Sequence, residues 1–469
     1  MDMNLIMNRD EAYNESMGKI YQWFEEKMYF KIKDEFLKYN EADIAEMFEE
    51  FLADEELLTK AIVVYRLLPK AVSVDVFAYL PSDDQLKIVE RITAAELNYI
   101  IQEMDFDDKI DILEELPATL VNRILENTPK AERKLINTFL NYPDDCAGSI
   151  MTPDFISLQK EWTVRQALDH IRKEGMDTET IYTCYVKDGA YKLVGIVSLR
   201  TLVISCEEER IMNLMHTDFV CVQVDDDQEE VSEAFKKYGF IAMPVVDREG
   251  RLVGIITVDD ILDVIEDENT EDIERMAGIV DLEQSDEDYL DKSVLKHARN
   301  RLPWLLCMML SAMITGAVLG AAEAQLSAVI VLVSYIPLLM GTGGNTGAQA
   351  STLMIRGLSL GEIEPTIQDA GKILWKEVRI ALCVSVVLAS VNFAKIVLVD
   401  RESVMIALTV NLSMILIVMF AKSLGGMVPL AAEKLGLDPA LMANPIITSL
   451  VDLFSMVIYL VMAMVILGV

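Results

Sequence analysis

Histidine and cysteine are scarce in this 469-residue chain, which has three histidines and six cysteines. The cysteines are scattered, without a CxxC pair or a cluster with histidine, which argues against a disulfide framework and a structural zinc site. The chain also lacks a phosphate-binding glycine loop and a nucleophile elbow, so no catalytic constellation supports an enzyme. No basic stretch followed by an apolar core opens the sequence, and we expect no secretory signal.

Basic residues are also in short supply, with 41 against 76 acidic residues and a net charge of −35. The deficit lies in the first 300 residues, which carry 32 basic and 66 acidic side chains, whereas the remainder carries 9 and 10. An acid-rich surface repels nucleic acid and attracts cations, so we expect divalent cations and no nucleic acid as partners. The sequence therefore predicts an acidic part in the cytosol and a nearly neutral, apolar part.

Five apolar runs follow Arg301, and each has about the 20 residues that a helix needs to cross a membrane. Five such runs in succession favour membrane spans over buried helices of a soluble protein. Basic residues concentrate before the first run and in the second and fourth connections, which predicts a cytoplasmic N-terminal part and an outside C-terminus. We therefore predict a multi-pass protein in the lipid of the cell membrane, with spans at Leu302–Ala322, Leu326–Leu353, Ile380–Val399, Val404–Ala421 and Leu441–Val469.

The fifth run carries polar side chains at helical spacing. Asn444, Thr448 and Asp452 stand at i, i+4 and i+8, which places them on one face of a helix. A carboxylate inside a membrane is costly and usually faces a water-filled path or a partner group. No basic residue follows Lys434 to neutralise it. Pro445 leaves backbone carbonyls nearby without donors, and these could also face an ion.

The second run contains the sequence PLLMGTGGNTGAQASTL, which is rich in glycine. Its glycines permit a close approach between backbones, and they are equally compatible with tight helix packing. Asn345 and Gln349 share one face at i, i+4. Two polar stripes on two spans favour a pore over packing alone.

A repeat of twelve residues marks the acidic part. The first five repeats begin with an apolar residue and the sixth with a threonine, and the residue that follows is proline, threonine or aspartate, which suits the start of a helix. Short helices at a fixed period predict a small α-superhelix. The six registers begin at Leu68, Leu80, Ile92, Met104, Leu116 and Thr128.

A second, longer repeat follows, in which Met151–Leu202 is similar to Met215–Ile261. Each copy runs through an amphipathic helix, at Val164–Lys173 and Glu229–Lys237, into two apolar strands. The pair resembles tandem CBS domains, a family of regulatory modules that often bind adenine nucleotides.

The resemblance to CBS domains implies a ribose-binding Asp three residues after a Ser or Thr. The second copy has this pair as Thr257 and Asp260, whereas the first has Ser198 followed by Thr201. We therefore expect at most one adenine nucleotide, such as ATP, to bind per chain.

A stripe of carboxylates follows the second copy and leads into the first span. Its members fall at steps of three or four, so like charges lie along one face of the predicted helix and destabilise it. The stripe is either the solvated face of a linker or a site where divalent cations relieve the repulsion. Hard oxygen ligands suit Mg²⁺ or Ca²⁺ rather than zinc or copper. The stripe comprises Asp260, Asp263, Asp267, Glu271 and Glu274.

Taken in order, these parts resemble the MgtE family of magnesium transporters and channels. The segments Tyr335–Leu358 and Leu435–Asp452 match the family's membrane motifs, and the resemblance covers nearly the whole chain. It implies a multidomain protein with an α-superhelical N domain, α/β tandem CBS domains, a connecting helix and an all-α bundle of five transmembrane helices. The expected boundaries are 1–34 for an N-terminal extension, 35–147 for the N domain, 148–208 and 209–267 for the CBS copies, 268–298 for the connecting helix and 299–469 for the membrane domain.

The family resemblance also implies a homodimer whose pore lies on the two-fold axis and closes when internal Mg²⁺ is high. Asp452 would be the pore carboxylate, with Asn444 and Thr448 nearby and Asp438 at the cytoplasmic mouth. Gly239 stands where the family has an acidic ligand, so one sensor site is expected to be weaker or missing. The remaining sensor ligands would be Asp75, Asp107, Asp111, Asp227, Glu229, Asp260, Asp263, Glu268, Glu271 and Asp272.

Two alternatives remain open on the sequence. A carrier or channel for another divalent cation, such as Mn²⁺ or Co²⁺, would use the same oxygen ligands. A membrane-anchored enzyme or signalling protein would use the CBS pair as a nucleotide receptor. Ion flux into liposomes separates these alternatives.

Overall fold

The structure is a computed structural model that describes residues 3–176, 178–279, 289–290, 292–321, 330–441 and 444–468, without the side chains of 3–12, Asn127 and Asn444. The chain divides into two compact units, Met1–Glu266 and Asp267–Val469. The division falls inside one helix, Val258–Met276, and we use the name connecting helix for this helix rather than for the predicted range 268–298. The first unit holds the predicted acidic part and the second holds the apolar runs.

Four helices open the first unit and share one hydrophobic core with the repeats that follow. Phe24, Phe36, Phe48 and Phe51 are fully buried there, and aromatic contacts link them. The predicted N-terminal extension, 1–34, therefore supplies part of this core. The four helices are Met3–Glu25, Tyr29–Phe36, Glu41–Ala53 and Glu55–Tyr65.

The predicted twelve-residue repeat is confirmed as six short helices that begin twelve residues apart. Proline, threonine or aspartate occupies the residue before each helix, where a missing N–H costs nothing and a side-chain oxygen can cap. At Thr93 the side chain and Glu96 form a reciprocal capping box. The helices are Lys70–Ala78, Ser82–Val89, Ala94–Glu103, Phe106–Glu115, Ala118–Asn127 and Lys130–Phe139.

The two CBS-like copies have the same order of elements, as the sequence predicts. In each copy the first strand pairs parallel with the second, across an intervening helix, and the second pairs antiparallel with the third. The first copy has strands Phe155–Gln159, Thr180–Lys187 and Leu193–Ser198, with helices Val164–Glu174 and Leu199–Ile204. The short helix Ile211–Leu214 joins it to strands Val222–Gln223, Ala242–Val246 and Leu252–Thr257, with helix Gln228–Tyr238 and the connecting helix.

Gly239 ends the helix Gln228–Tyr238 with a φ of +66°, in the left-handed region. Glycine adopts this conformation without the steric penalty that a side chain brings. The backbone therefore favours glycine at the position where the family resemblance implies an acidic ligand.

In the second unit, four of the described helices are long and apolar enough to cross a membrane. The predicted second span does not appear among them. Its first residues, 326–329, lie outside the described residues, and the rest lies within the 3₁₀ helix Ile330–Tyr335 and the α-helix Ile336–Ser359. The four helices are Val294–Ala321, Ile367–Ala394 with its π-helical continuation Lys395–Val399, Val404–Lys434 and Asn444–Leu467.

Helix Ile336–Ser359 packs against Val404–Lys434 and Asn444–Leu467. A Cβ atom added to Gly425 would lie 2.3 Å from the carbonyl oxygen of Gly347, so only glycine permits this approach. Gly343 and Gly344 similarly contact the last helix. Packing through small residues, one of the two readings of the glycine-rich run, therefore occurs in the structure.

Candidate divalent-cation sites

Carboxylates from three parts of the first unit form an acidic cluster. Asp107, Asp108 and Asp111 occupy the first turns of helix Phe106–Glu115. Asp260 lies in the first turn of the connecting helix, and Glu179 precedes the second strand of the first CBS-like copy. Electrostatic repulsion links these groups. Asp107, Asp108 and Asp260 each raise the pKa of other members, and the pKa values of Asp111 and Glu179 are raised by them.

Every carboxylate in the acidic cluster has a raised pKa. Burial is the largest cause, and it raises the pKa of Asp107, Asp108 and Asp260 to about 6. The pKa of Glu179 rises to about 8, because of burial and then of repulsion by Asp107. For Asp111 the pKa rises to about 7, although part of its side chain stays exposed and water screens its repulsion. Repulsion by neighbouring carboxylates adds to the effect of burial on the pKa of every member of the cluster.

Local hydrogen bonds orient two members of the cluster. The hydroxyl of Thr257 donates to Asp260 Oδ2 at 2.5 Å, which partly offsets the rise in the pKa of Asp260. The backbone N–H of Asp108 donates to Asp107 Oδ1 at 3.1 Å. The Thr257–Asp260 pair that the sequence assigns to a ribose therefore lies in the acidic cluster.

The other predicted residues of the first unit lie around this cluster or apart from it. Asp75 contributes to the raised pKa of Asp108, and its own pKa is raised by burial and by Glu41. Burial and then Glu266 raise the pKa of Asp263. Asp227 instead caps the helix Gln228–Tyr238 by accepting the N–H of Glu229 at 2.9 Å, which accounts for an aspartate at that position.

In the second unit, the end of the connecting helix carries an ion-pair network. Arg275 Nη1 donates to Asp438 Oδ2 at 2.8 Å, and the same guanidinium pairs with Glu271 one turn earlier. Burial raises the pKa of Asp272, and the charge of Asp438 raises it further. Glu268 lies half-buried on the same helix. Asp438, predicted at the cytoplasmic mouth, is therefore neutralised by a residue that the sequence analysis did not single out.

The predicted pore residues belong to the last helix, Asn444–Leu467. Thr448 and Asp452 are half-buried, and a Cβ on Gly344 would touch Thr448 at 3.4 Å. The polar face of the last helix thus adjoins the glycine-rich helix at Thr448. The side chain of Asn444 lies outside the described residues.

Sequence reasoning missed four residues of the cluster or its edge, and one of them, Asp105, contributes to the raised pKa values of Asp107, Asp108 and Glu179. Asp108 and Asp259 each stand directly beside a predicted ligand in the sequence, and these Asp–Asp pairs could have indicated them. Asp259 contributes to the raised pKa values of Asp108 and Glu179. Glu179 has no such signal, because only the fold brings it to Asp107.

No three Asp, Glu, His or Cys side chains converge closely enough to hold a metal ion within the part of the chain that the structure describes. The carboxylates repel one another without meeting at direct ligand distances. Mg²⁺ dehydrates reluctantly and usually keeps several waters. The donors of the acidic cluster are all carboxylate oxygens, which are the ligand type that Mg²⁺ and Ca²⁺ take.

The raised pKa values predict an unusual dependence of stability on pH. Because the folded-state pKa values of these carboxylates exceed the unfolded values of about 4, their contribution to stability is present at low pH and is lost as pH rises through about 6 to 8. In chelator, we expect the melting temperature of the full chain to fall between pH 6 and pH 8. Mg²⁺ should raise the melting temperature more at pH 8 than at pH 6.

Two variants test this assignment by calorimetry. Replacing Asp111 and Glu179 together by Asn and Gln should flatten the pH dependence and reduce the effect of Mg²⁺. Asp169→Asn is the matched control, since Asp169 is exposed and already pairs with Arg172 at 2.7 Å. An unchanged pH profile in the double variant would contradict a cluster of uncompensated carboxylates.

Family profiles match three parts of the chain: "Divalent cation transporter" at residues 336–462, "MgtE intracellular N domain" at 39–145 and "CBS domain" at 147–207 and 211–267. The magnesium transporter MgtE of Thermus thermophilus is 36% identical over 86% of this chain and 88% of its own length. The protein of that name from Bacillus subtilis is 31% identical over 82% and 84%. A crystal structure of the cytosolic domain of the Mg²⁺ channel MgtE with ATP is 33% identical and covers 50% of this chain and 93% of that one, with a TM-score of 0.47.

Proposed function

Because the chain belongs to the MgtE family of divalent cation transporters, we propose that it transports Mg²⁺ across a cell membrane and closes when Mg²⁺ binds its acidic cytosolic part. The observation that carries the proposal is the identity of 36% to a magnesium transporter over 88% of that relative. The acidic cluster and the carboxylate of Asp452 would supply the oxygen ligands that Mg²⁺ requires.

For transport, we propose a homodimer in which Asp452 of each copy faces a shared pore. Two carboxylates can hold one hydrated Mg²⁺ through its water and repel anions. Thr448 and Asn444 would offer oxygens to the same water shell. Asp438 would draw the ion towards the cytoplasmic end of this path.

For topology, we propose five spans, with the first unit in the cytoplasm and the C-terminus outside. Helix Ile336–Ser359 would be the second span, since its 24 residues extend over about 36 Å. Neighbouring helices cover the backbone of this helix at its glycines, so it can cross the membrane with fewer apolar side chains.

For regulation, we propose that Mg²⁺ binds the acidic cluster and stabilises the closed state. The ligands would be Asp107, Asp111 and Asp260, supported by Asp75 and Asp263. Cations bind better where uncompensated carboxylates converge, so they shift the population towards the conformation that brings the carboxylates together. Further ligands would be Glu268, Glu271 and Asp272 on the connecting helix, with Asp227 and Glu229 as a peripheral pair.

A selectivity assay tests the substrate. Purified protein in liposomes should pass Mg²⁺, and equal concentrations of Mn²⁺ or Co²⁺ should move more slowly. Faster Mn²⁺ or Co²⁺ flux would favour the alternative of a carrier or channel for another divalent cation. Absence of all divalent flux from dimeric protein, together with nucleotide turnover, would favour the enzyme or signalling alternative.

We further propose that at most one adenine nucleotide, such as ATP, binds per chain. The first copy has Thr201 in place of the ribose-binding Asp, and Thr201 shares a hydrogen bond with Ser198 at 2.9 Å. In the second copy, Asp260 is held by Thr257 and repelled by Asp107. Calorimetry of ATP binding to the full chain should give a stoichiometry of one or less, and Asp260→Asn should weaken the binding of ATP. Two tight sites per chain would contradict this expectation.

A further inference from the structure

Within the second unit, an ion pair joins the end of the connecting helix to the segment before the last helix. Arg275 reaches Asp438, 163 positions further along the chain, at 2.8 Å. The two side chains are 36% and 25% exposed, so water only partly screens the pair. Contacts over such a sequence distance reflect tertiary packing rather than helix formation.

A second interaction orients each partner of this ion pair. Glu271 pairs with Arg275 from one turn earlier on the same helix and orients the guanidinium. Asp438 accepts the backbone N–H of Ala440 at 2.7 Å through Oδ1, which leaves Oδ2 for Arg275. The hydrogen bond from Ala440 therefore orients the Asp438 carboxylate towards the connecting helix.

An apolar contact beyond the helix supports the same docking. Gly278 has a φ of +73°, and a Cβ there would meet Pro445 at 3.0 Å and Trp304 at 3.3 Å. Pro445 stands in the first turn of the last helix, which carries Asp452. The chain after Arg275 therefore lies against the start of the helix that holds the proposed pore carboxylate.

Several carboxylates meet at this contact. Glu271, Asp272 and Asp438 bring three carboxylates to one guanidinium, and the charge of Asp438 raises the pKa of Asp272. Arg275 supplies the positive charge that lets these carboxylates approach. Without it, the docked connecting helix would be repelled from Asp438.

We propose that Arg275 is a tethered cation that takes the place of Mg²⁺ at Asp438 and latches the connecting helix over the start of the last helix. The inference rests on the proposed function, since it assigns a gating step to this contact. While the latch is closed, Asp438 cannot attract Mg²⁺, and the fixed positive charge repels cations from the path. Arg275 is a positioning residue that acts through Asp438.

The test measures hydrogen exchange of residues 267–279 in the full chain as free Mg²⁺ is raised, together with Mg²⁺ flux. Arg275→Gln should move the Mg²⁺ midpoint for protection upward by about threefold to fivefold, the range expected for losing a partly exposed ion pair. It should also leave residual flux at high internal Mg²⁺. Arg275→Lys keeps the charge and should lie near wild type.

A double-mutant cycle separates a latch from a general loss of structure. Asp438→Asn should shift the midpoint, and adding Arg275→Gln should shift it no further, because the partner is already gone. Arg248→Gln is the matched control, since Arg248 makes an exposed ion pair with Asp225 at 2.8 Å in the first unit. Additive shifts, or an unmoved midpoint in Arg275→Gln while wild type still responds to Mg²⁺, would overturn the latch. A wild-type protein without any Mg²⁺ response would overturn the proposed function and the latch together.

Discussion

Replacing Asp452 by Asn should reduce Mg²⁺ flux about a hundredfold, equal to ~2.7 kcal/mol. The substitution keeps the shape of the side chain and removes its charge. A divalent cation about 5 Å from a carboxylate gains several kcal/mol at an effective dielectric constant of about 20, so the loss of charge is sufficient for this effect. Flux of Mg²⁺ into liposomes with purified protein is the measurement.

Two controls accompany the Asp452 substitution. Asp452→Glu keeps the charge and should retain part of the flux. Asp369→Asn changes a carboxylate in the same unit that pairs with Lys372 at 2.7 Å and has no proposed role, so it should match wild type. Wild-type flux from a folded Asp452→Asn dimer would remove Asp452 from the pore.

Replacing Asp107, Asp111 and Asp260 together by Asn should abolish closure by internal Mg²⁺ or move its midpoint upward at least about tenfold, equal to ~1.4 kcal/mol. The three substitutions remove both the ligands and the repulsion that Mg²⁺ relieves. The triple variant should also lose its Mg²⁺-dependent protection from protease. Flux and proteolysis are measured as internal Mg²⁺ is varied.

A matched triple variant controls for net charge. Asp34, Asp169 and Asp218 are exposed residues of the same unit outside the acidic cluster, and their replacement by Asn makes the same change in charge. This control should keep the wild-type response to Mg²⁺. Equal responses from both triple variants would mean that overall charge, rather than the cluster, governs closure.

The sequence predicted the local architecture of the first unit well, because its signals are local. The helix starts at Lys70, Ser82, Ala94 and Phe106 follow from the proline, threonine or aspartate that precedes each of them, and Thr93 also caps its helix. The amphipathic helices of the CBS-like copies were found within one residue, since their apolar periodicity is strong. The carboxylate stripe is likewise helical, as its spacing requires.

The long-range parts of the candidate sites could not be predicted. Glu179 joins Asp107 only because the CBS-like fold turns the second strand of the first copy towards the superhelix. Arg275 meets Asp438 across 163 positions, and nothing in either local sequence indicates the pair. The second span was predicted as one apolar run, whereas the described part begins with a 3₁₀ turn ahead of Pro337 and continues as a glycine-rich helix.

The most direct measurement of the central claim is Mg²⁺ influx through the wild-type protein in liposomes as Mg²⁺ on the cytoplasmic side is raised. We expect rapid influx when this Mg²⁺ is chelated and a steep decline over the millimolar range. The decline should be steep because several carboxylates of the acidic cluster act together. An influx that does not depend on cytoplasmic Mg²⁺ would contradict the account.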